Sequence, residues 1–173
     1  MAEEKQSHVL KMQKETMKKA YIDYLRAGIF LSVLALAVVI AAVFTNEVSS
    51  TADKILYAVL LVLCILVFFV YMVLRRYLVY ARFSKISSTI EKDVTVTCKK
   101  LSFIFKPVTK HSSAIICIIF TDESGKRYYN ITKEIPETET KKLKAKLLNS
   151  KIALTCYGDT ECVRSFRAVT EEK

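Results

Sequence analysis

The sequence predicts a membrane α-helical hairpin followed by a small β-rich (α+β) domain, shaped as a five-stranded, partly open barrel with one helix. Two long uncharged apolar blocks predict the hairpin, and period-two alternation of apolar and polar residues in the C-terminal half predicts the strands. Of the 173 residues, 25% are charged, which excludes a globally disordered chain. Three glycines and two prolines exclude collagen-like and Pro/Gly-rich low-complexity classes.

The two apolar blocks run from Ala27 to Phe44 and from Ile55 to Leu74, and neither contains a charged residue. At a rise of about 1.5 Å per residue, about 20 helical residues cross a hydrocarbon core of about 30 Å. We therefore predict transmembrane helices over residues 27–45 and 55–74. A cleaved signal peptide is the competing interpretation of the first block, but a long polar segment containing acidic residues precedes it.

The distribution of Lys and Arg predicts the orientation of this hairpin. Residues 1–26 contain six of them, the connection 46–54 contains only Lys54, and four more follow closely after the second block. Segments rich in Lys and Arg stay on the cytoplasmic side of a membrane. We therefore predict a two-pass integral membrane protein, with both termini cytoplasmic and a short external loop over residues 46–54.

Residues 1–26 lack helix breakers and are rich in good helix formers, which predicts a cytosolic amphipathic helix. One side of this helix carries four larger side chains, at spacings of seven, four and three residues: Leu10, Met17, Tyr21 and Tyr24. The helix is predicted either to lie on the membrane surface, where its lysines contact anionic head groups, or to continue into the first span. A solvated helical lead-in is the alternative.

Basic and aromatic residues alternate in the juxtamembrane segment, residues 75–92. Six of them are predicted to contact the membrane interface and its anionic lipids: Arg75, Arg76, Tyr77, Tyr80, Arg82 and Lys85. This segment has a net charge of +4 (five basic residues, one acidic), whereas the longer segment 93–173 has +5 (15 basic, ten acidic). Since the positive charge is most concentrated beside the membrane, the pattern favours lipid over nucleic acid as the partner.

Residues 93–168 show the period-two pattern of half-buried strands. The first predicted strand begins at Val94 and continues as far as Phe105. The second, residues 113–120, is an unbroken apolar run, which is typical of a strand buried on both faces. The third, residues 127–132, follows a turn and completes a hairpin.

Pro136 opens a segment with acidic residues early and lysines late, which suits a helix and its dipole. We predict this helix over residues 137–149, with Leu143 and Leu147 on its apolar face. Two further strands follow before the tail, residues 169–173. The order strand, strand, strand, helix, strand, strand is that of five-stranded barrels of the oligonucleotide/oligosaccharide-binding (OB) type.

Two stretches, FTDESGKRYY and KIALTCYGDTECVRSF, are spaced as in known small β-domains. Residues 93–168 resemble the cytosolic β-domains of uncharacterised bacterial two-helix membrane proteins and, more remotely, the barrel of NfeD-like membrane proteins. NfeD-like barrels are rich in glycine, whereas this segment contains only Gly125 and Gly158. The resemblance therefore implies a fold and a bacterial plasma membrane as the location, and no functional residue is carried over.

No residue pattern predicts catalysis or cofactor binding. Four cysteines fall in the predicted cytosolic strands, at Cys98, Cys117, Cys156 and Cys162, and none has the close spacing of a zinc site. Disulfides are rare in a reducing cytosol, so buried thiols are expected. The sequence carries no nucleophile elbow, phosphate-binding loop or dinucleotide fingerprint. We therefore expect no enzyme, no metal and no cofactor.

The leading hypothesis is a non-enzymatic integral membrane protein whose cytosolic β-domain binds another protein, as an accessory subunit, a scaffold or an immunity-type protein. The alternative is a membrane-tethered ligand-sensing or nucleic-acid-binding barrel. Its ligand platform would consist of four aromatic residues, Phe103, Phe105, Tyr128 and Tyr129. A pore formed by a homo-oligomer is a third hypothesis, and it is disfavoured because the apolar blocks lack ionisable groups.

Overall fold

The computed structural model describes residues 2–44, 51–87, 90–109 and 112–169. The chain divides into two compact units. The sheet unit combines Met1–Lys18 with Val79–Lys173, and the helical unit is Lys19–Leu78. Residues 46–50 of the predicted external loop and residues 170–173 of the predicted tail lie outside the described residues.

Two long helical segments dominate the N-terminal half. Helix α1 (Ala2–Phe44) is continuous, so the N-terminal segment runs directly into the first apolar block, which was one of the two predicted arrangements. The second helical segment is itself continuous and consists of helix α2 (Thr51–Phe68), a π-helical turn (Phe69–Leu74) and helix α3 (Arg75–Ser84). Both segments contain stretches long and apolar enough, by length and composition, to cross a membrane.

Most apolar side chains of these stretches are exposed, as for Phe30 at 69% and Val67 at 65%. Within the helical unit the two segments meet at Gly28, where an added Cβ would lie only 2.9 Å from the Phe69 ring. The ring centroids of Tyr21 and Tyr77 are 5.4 Å apart. A glycine at a helix contact allows close packing, so a larger residue at position 28 would push against the Phe69 ring.

The C-terminal half forms one open, mixed sheet of six strands in the order β1-β5-β6-β4-β3-β2. The strands are β1 (Glu91–Thr97), β2 (Lys100–Thr109), β3 (Ser112–Thr121), β4 (Arg127–Pro136), β5 (Lys151–Tyr157) and β6 (Cys162–Ala168). Between β4 and β5 lie a 3₁₀ turn (Glu137–Glu139) and helix α4 (Thr140–Leu147). The fold is therefore α+β, as predicted.

The number of strands differs from the predicted five because the first predicted strand is interrupted at Cys98 and Lys99. The Cys98 N–H donates to the Ser150 carbonyl (3.0 Å), whereas the Lys99 N–H donates to the Thr121 carbonyl (2.9 Å). Cys98 and Lys99 are consecutive, yet their N–H groups donate to two different segments, one just before β5 and the other at the end of β3. Consequently β1 pairs with β5 at one edge of the sheet, and β2 pairs with β3 at the other edge.

The sheet buries apolar residues on both faces. The main core includes Leu147 of α4 and eleven other residues: Cys98, Leu101, Phe103, Ile115, Ile118, Phe120, Tyr128, Ile152, Leu154, Cys156 and Val163. The opposite face receives the start of α1 and the end of α3, where the Phe83 and Tyr157 rings are 6.4 Å apart. Strand β3 is buried on both faces, which confirms its prediction from the apolar run.

The sheet unit includes residues that lie outside the predicted β-domain. The predicted domain comprised residues 93–168, with the N-terminal helix and the juxtamembrane segment treated as separate parts. Leu10 and Met17 are instead buried in the sheet unit, and so is Phe83 of α3. The reason is that the outer face of the sheet is apolar and needs covering, and these helix ends supply apolar side chains.

Candidate functional site

A cleft opens in the sheet where β4 and β6 diverge. The two strands are parallel and pair only at Tyr129 with Cys162 and at Asn130 with Val163. Both strands continue beyond this point, β4 to Pro136 and β6 to Ala168. The resulting cavity of about 260 Å³, hereafter the β4–β6 cleft, is lined by Val9, Met12, Gln13, Asn130, Ile131, Thr132, Lys133, Arg164, Ser165 and Phe166.

Gln13 closes the inner end of the cleft. Its Nε2 donates to the carbonyl oxygens of Ile131 (2.8 Å) and Val163 (3.3 Å), one on each diverging strand. Its Oε1 accepts a hydrogen bond from the Tyr157 hydroxyl at 2.8 Å. The side chain is only 1% exposed, so all of its polar atoms are used inside the protein. A single amide therefore links the N-terminal helix to three strands of the sheet.

Asn130 makes a second amide bridge between the strands. Its Nδ2 donates to the carbonyl oxygens of Val163 (3.0 Å) and Arg164 (3.2 Å). Buried carbonyl groups at the end of a strand ladder need partners, because each one left unsatisfied costs about 1–3 kcal/mol. Gln13 and Asn130 supply these partners where the ladder between β4 and β6 stops.

The cleft has a positive rim. Lys133 is exposed on β4, and Arg164 on β6 forms an ion pair with Glu91. No carboxylate belongs to the described residues that line the cleft. Backbone groups of two strands and cationic side chains thus face the same opening, a combination suited to an extended segment that carries negative charge.

The four aromatic residues of the predicted ligand platform do not form one exposed surface. Phe103 and Tyr128 belong to the main core, and Phe105 packs against that core. Tyr129 is also buried, and its ring lies 4.9 Å beneath the Arg82 guanidinium. Period-two alternation aims these rings at covered faces of the sheet, where their apolar area stabilises the fold. A ligand platform formed by these four residues stays a prediction.

Two of the six predicted lipid-contacting residues, Arg76 and Tyr77, contact other side chains of the helical unit. The Arg76 guanidinium lies 3.6 Å from the centroid of the Tyr24 ring, and its Nη1 donates to the Met72 carbonyl at 2.6 Å. Arg76 is only 5% exposed. Tyr77 contacts Tyr21, as described above. Arg76 is therefore a packing residue of the helical unit rather than a free surface cation.

The remaining four residues have different surroundings. Arg75 and Tyr80 are half-buried, and Lys85 is exposed. Arg82 forms an ion pair with Glu161 at 3.3 Å, so its charge is directed toward the sheet. Contact of these six residues with lipid head groups stays a prediction.

The four cysteines of the sheet unit are buried thiols. Burial raises the pKa of Cys98, raises that of Cys156 to about 11, and raises that of Cys162 to about 12. A thiol with such a pKa is protonated near neutral pH and is a weak nucleophile. In the part of the chain that the structure describes, no group of three or more His, Cys, Asp or Glu side chains is arranged to hold a metal ion.

Gln13 is the site residue that sequence reasoning missed. The signal was present, since Gln13 lies three residues after Leu10 and four before Met17, on the same side of the helix as these two apolar residues. A polar residue within an apolar stripe is a candidate for a buried hydrogen bond. What the stripe cannot reveal is that its partners are strand carbonyls more than a hundred residues away.

Comparisons with known proteins add no family. The chain matches no protein-family model, no curated protein and no solved structure at a significant level. The resemblance to NfeD-like barrels therefore stays a prediction, and the functional conclusions below are based on the geometry of the chain itself.

Proposed function

We propose that this chain is a non-enzymatic, membrane-anchored interaction protein. The two apolar helices cross a membrane rich in anionic lipid, with both termini on the cytoplasmic side. The sheet unit binds an extended, acidic segment of another protein in the β4–β6 cleft. The cleft, with strand backbone on both sides and a positive rim, is the observation that carries this proposal.

The hairpin topology is supported by the connectivity of the sheet unit. This unit contains both the beginning of α1 and the whole sheet, joined by the hydrogen bond between Gln13 and Tyr157. The helical unit therefore leaves the sheet unit and returns to it. A membrane-crossing helical unit with this connectivity must cross an even number of times, which agrees with two spans. It also disfavours cleavage after the first block, because cleavage would remove Gln13.

The finer fold assignment that we propose is an OB-like barrel in which β1 and β2 are two halves of one bent strand. Only Cys98 and Lys99 separate the halves, which occupy opposite edges of the sheet order. Counted as one strand, they leave five strands with α4 between the third and the fourth. OB barrels are partly open, and the β4–β6 cleft is where this sheet opens.

The alternative of a ligand-sensing or nucleic-acid-binding barrel receives less support. OB barrels bind such ligands on the outer face of their second and third strands, which correspond to β3 and β4. Here Tyr129 and Ile131 of β4 are buried, one under Arg82 and the other beside Gln13. Because helices of the chain itself cover this face, the cleft is the better candidate for binding.

Strand addition explains how the cleft would bind a partner. An extended peptide gains affinity from main-chain hydrogen bonds to an open strand edge and gains specificity from neighbouring side chains. Gln13 and Asn130 already donate hydrogen bonds to the Ile131 and Arg164 carbonyls. Beyond these two residues, 132–136 of β4 and 165–168 of β6 offer two such edges, and Lys133 and Arg164 favour acidic side chains. Because Arg164 is already paired with Glu91, Lys133 is the cation of the cleft best placed to select a partner with negatively charged side chains.

Selection from a random peptide library tests the proposal. Full-length protein in neutral detergent would be used as bait, and we expect enrichment of extended acidic peptides. Lys133→Glu should weaken the binding of an enriched peptide about tenfold, the scale of one close charge pair reversed. The matched control is Lys142→Glu on exposed α4, which makes the same charge change away from the cleft.

Two results would contradict this function. One is a selection that enriches no acidic peptide, and the other is equal peptide affinity in the parent and in Lys133→Glu. A twelve-nucleotide single-stranded DNA serves as a separate arm of the test. Tight binding of that oligonucleotide, with no peptide binding, would favour the barrel alternative instead.

A further inference from the structure

A second concavity, distinct from the β4–β6 cleft, lies at the opposite end of β4. It has a volume of about 390 Å³ and is lined by Arg82, Gly125, Lys126, Arg127, Tyr129 and Glu161. Hereafter it is called the Arg82 groove. Three of the lining residues are cations and one is an anion, so the lining carries a formal charge of +2 (three positive, one negative). The turn between β3 and β4, the end of α3 and the turn before β6 together build it.

The turn that supplies two of the cations is held in place by Asp122. Its Oδ1 accepts hydrogen bonds from the Ser124 hydroxyl (2.6 Å), the Ser124 N–H (2.9 Å) and the Lys126 N–H (3.0 Å). These hydrogen bonds, chiefly the one from the Ser124 hydroxyl, lower the pKa of Asp122. Gly125 adopts a φ of +82°, which a residue with a side chain rarely adopts. The turn backbone that carries Lys126 and Arg127 is thus held in place before any ligand arrives.

The third cation is held by the sheet. Arg82 lies over the Tyr129 ring and forms an ion pair with Glu161, whose backbone carbonyl also accepts a hydrogen bond from the Tyr129 N–H (2.8 Å). The single acid of the groove is therefore already engaged by one cation. Lys126 and Arg127 are exposed, and the Lys126 ammonium lies 5.4 Å from the centroid of the Tyr128 ring. These two solvent-exposed cations can balance an external charge.

We propose that the Arg82 groove binds a phosphomonoester group. The Arg and Lys side chains that line this concavity supply several N–H donors. Such donors match the oxygens of a doubly charged phosphate, which accepts charge-assisted hydrogen bonds from more than one direction. The group could be carried by an anionic lipid or by a free phosphate, and both present the same chemistry to the groove. This inference does not depend on peptide binding in the β4–β6 cleft.

Titration calorimetry of the full-length protein in neutral detergent tests the proposal with three probes. The probes are dioctanoyl phosphatidic acid, inorganic phosphate and dioctanoyl phosphatidylcholine, the last lacking a phosphomonoester. We expect phosphatidic acid to bind and phosphatidylcholine not to bind. The double variant Lys126→Ala/Arg127→Ala should lower the affinity about tenfold or more, since it removes two charge-assisted contacts.

A matched control separates the groove from general charge effects. Lys141→Ala/Lys146→Ala removes the same charge from exposed positions of α4 and should leave the affinity unchanged. Binding of inorganic phosphate as well as phosphatidic acid, both weakened in the groove variant, identifies the phosphate group alone as sufficient. Binding of phosphatidic acid alone, weakened in the same variant, identifies a lipid source. Absence of binding by both, or equal losses in the two double variants, would overturn the proposal.

Discussion

Replacing Gln13 by leucine tests how the N-terminal helix is joined to the sheet. Leucine has a similar volume, so the substitution removes the amide without leaving a large cavity. The Tyr157 hydroxyl and the Ile131 carbonyl would each lose the partner described above, whereas the Val163 carbonyl would keep Asn130. Each buried polar group left without a partner costs about 1–3 kcal/mol. With two such groups, and with the added apolar burial of leucine included, we predict that the free energy of unfolding falls by roughly 2–4 kcal/mol.

Thiol labelling can measure this loss in the sheet unit alone. Replacing exposed Cys64 by alanine leaves only the four buried cysteines, all of which lie in the sheet unit. A thiol reagent then reports how often that unit opens. The predicted loss of stability corresponds to labelling that is about 30-fold faster or more, at 1.4 kcal/mol for each factor of ten.

Two comparisons make the result interpretable. Lys11→Gln changes an exposed position of the same helix and should leave the labelling rate unchanged. Tyr157→Phe removes the other half of the hydrogen bond, so the combination with Gln13→Leu should cost less than the sum of the single changes, by about 0.5–1.5 kcal/mol. Labelling of Gln13→Leu within twofold of Lys11→Gln, or strict additivity with Tyr157→Phe, would refute this reasoning.

Three further predictions concern the sheet unit. Leu147→Asp places an unpaired charge in the core at a cost of several kcal/mol and should abolish cooperative thermal unfolding. Lys141→Asp, on the exposed side of α4, should leave the transition cooperative. Equal tolerance of the two substitutions would mean that α4 does not pack on the sheet through Leu147. The pKa of Cys156 is raised to about 11 and that of Cys162 to about 12, from an ordinary value near 9, so both thiols stay protonated in the folded protein where they would ionise in the unfolded chain. The free energy of unfolding should therefore be highest below pH 9 and should fall as the pH rises toward 12. A melting temperature that stays constant to pH 11 would contradict this. Asn149 has a φ of +59°, so Asn149→Gly should be tolerated, whereas Asn149→Val should cost about 1–2 kcal/mol in chemical denaturation.

Local patterns predicted most of the elements correctly. Each strand from β3 onward has its own period or apolar run, and the leucines of α4 share one face, so these elements follow from short stretches of sequence. Leu147 was predicted to lie on the apolar face of this helix, and it is a member of the main core. Such features depend on neighbours within a few residues.

Features decided by distant partners were not predictable. The period-two pattern continues through Cys98 and Lys99, and only the carbonyls of Ser150 and Thr121 divide it into two strands. The β4–β6 cleft depends on a parallel pairing that ends after two residues, and no local pattern encodes that end. Arg82 was assigned to lipid because it follows the second apolar block, whereas its ion pair with Glu161 becomes visible only in the folded sheet unit.

The proposed function requires that the N-terminal helix and the sheet occupy the same, cytoplasmic side of a membrane. Single reporter thiols test this requirement in a Cys64→Ala background, where the four buried cysteines serve as an unreactive baseline. Reporters would be Ser49→Cys in the predicted external loop, Lys11→Cys on α1 and Thr138→Cys in the exposed turn before α4. With a membrane-impermeant maleimide on intact bacterial cells expressing the protein, we predict labelling of Ser49→Cys alone, with the other two reacting only after permeabilisation. Labelling of Lys11→Cys or Thr138→Cys from outside would contradict the hairpin orientation on which the proposed function depends.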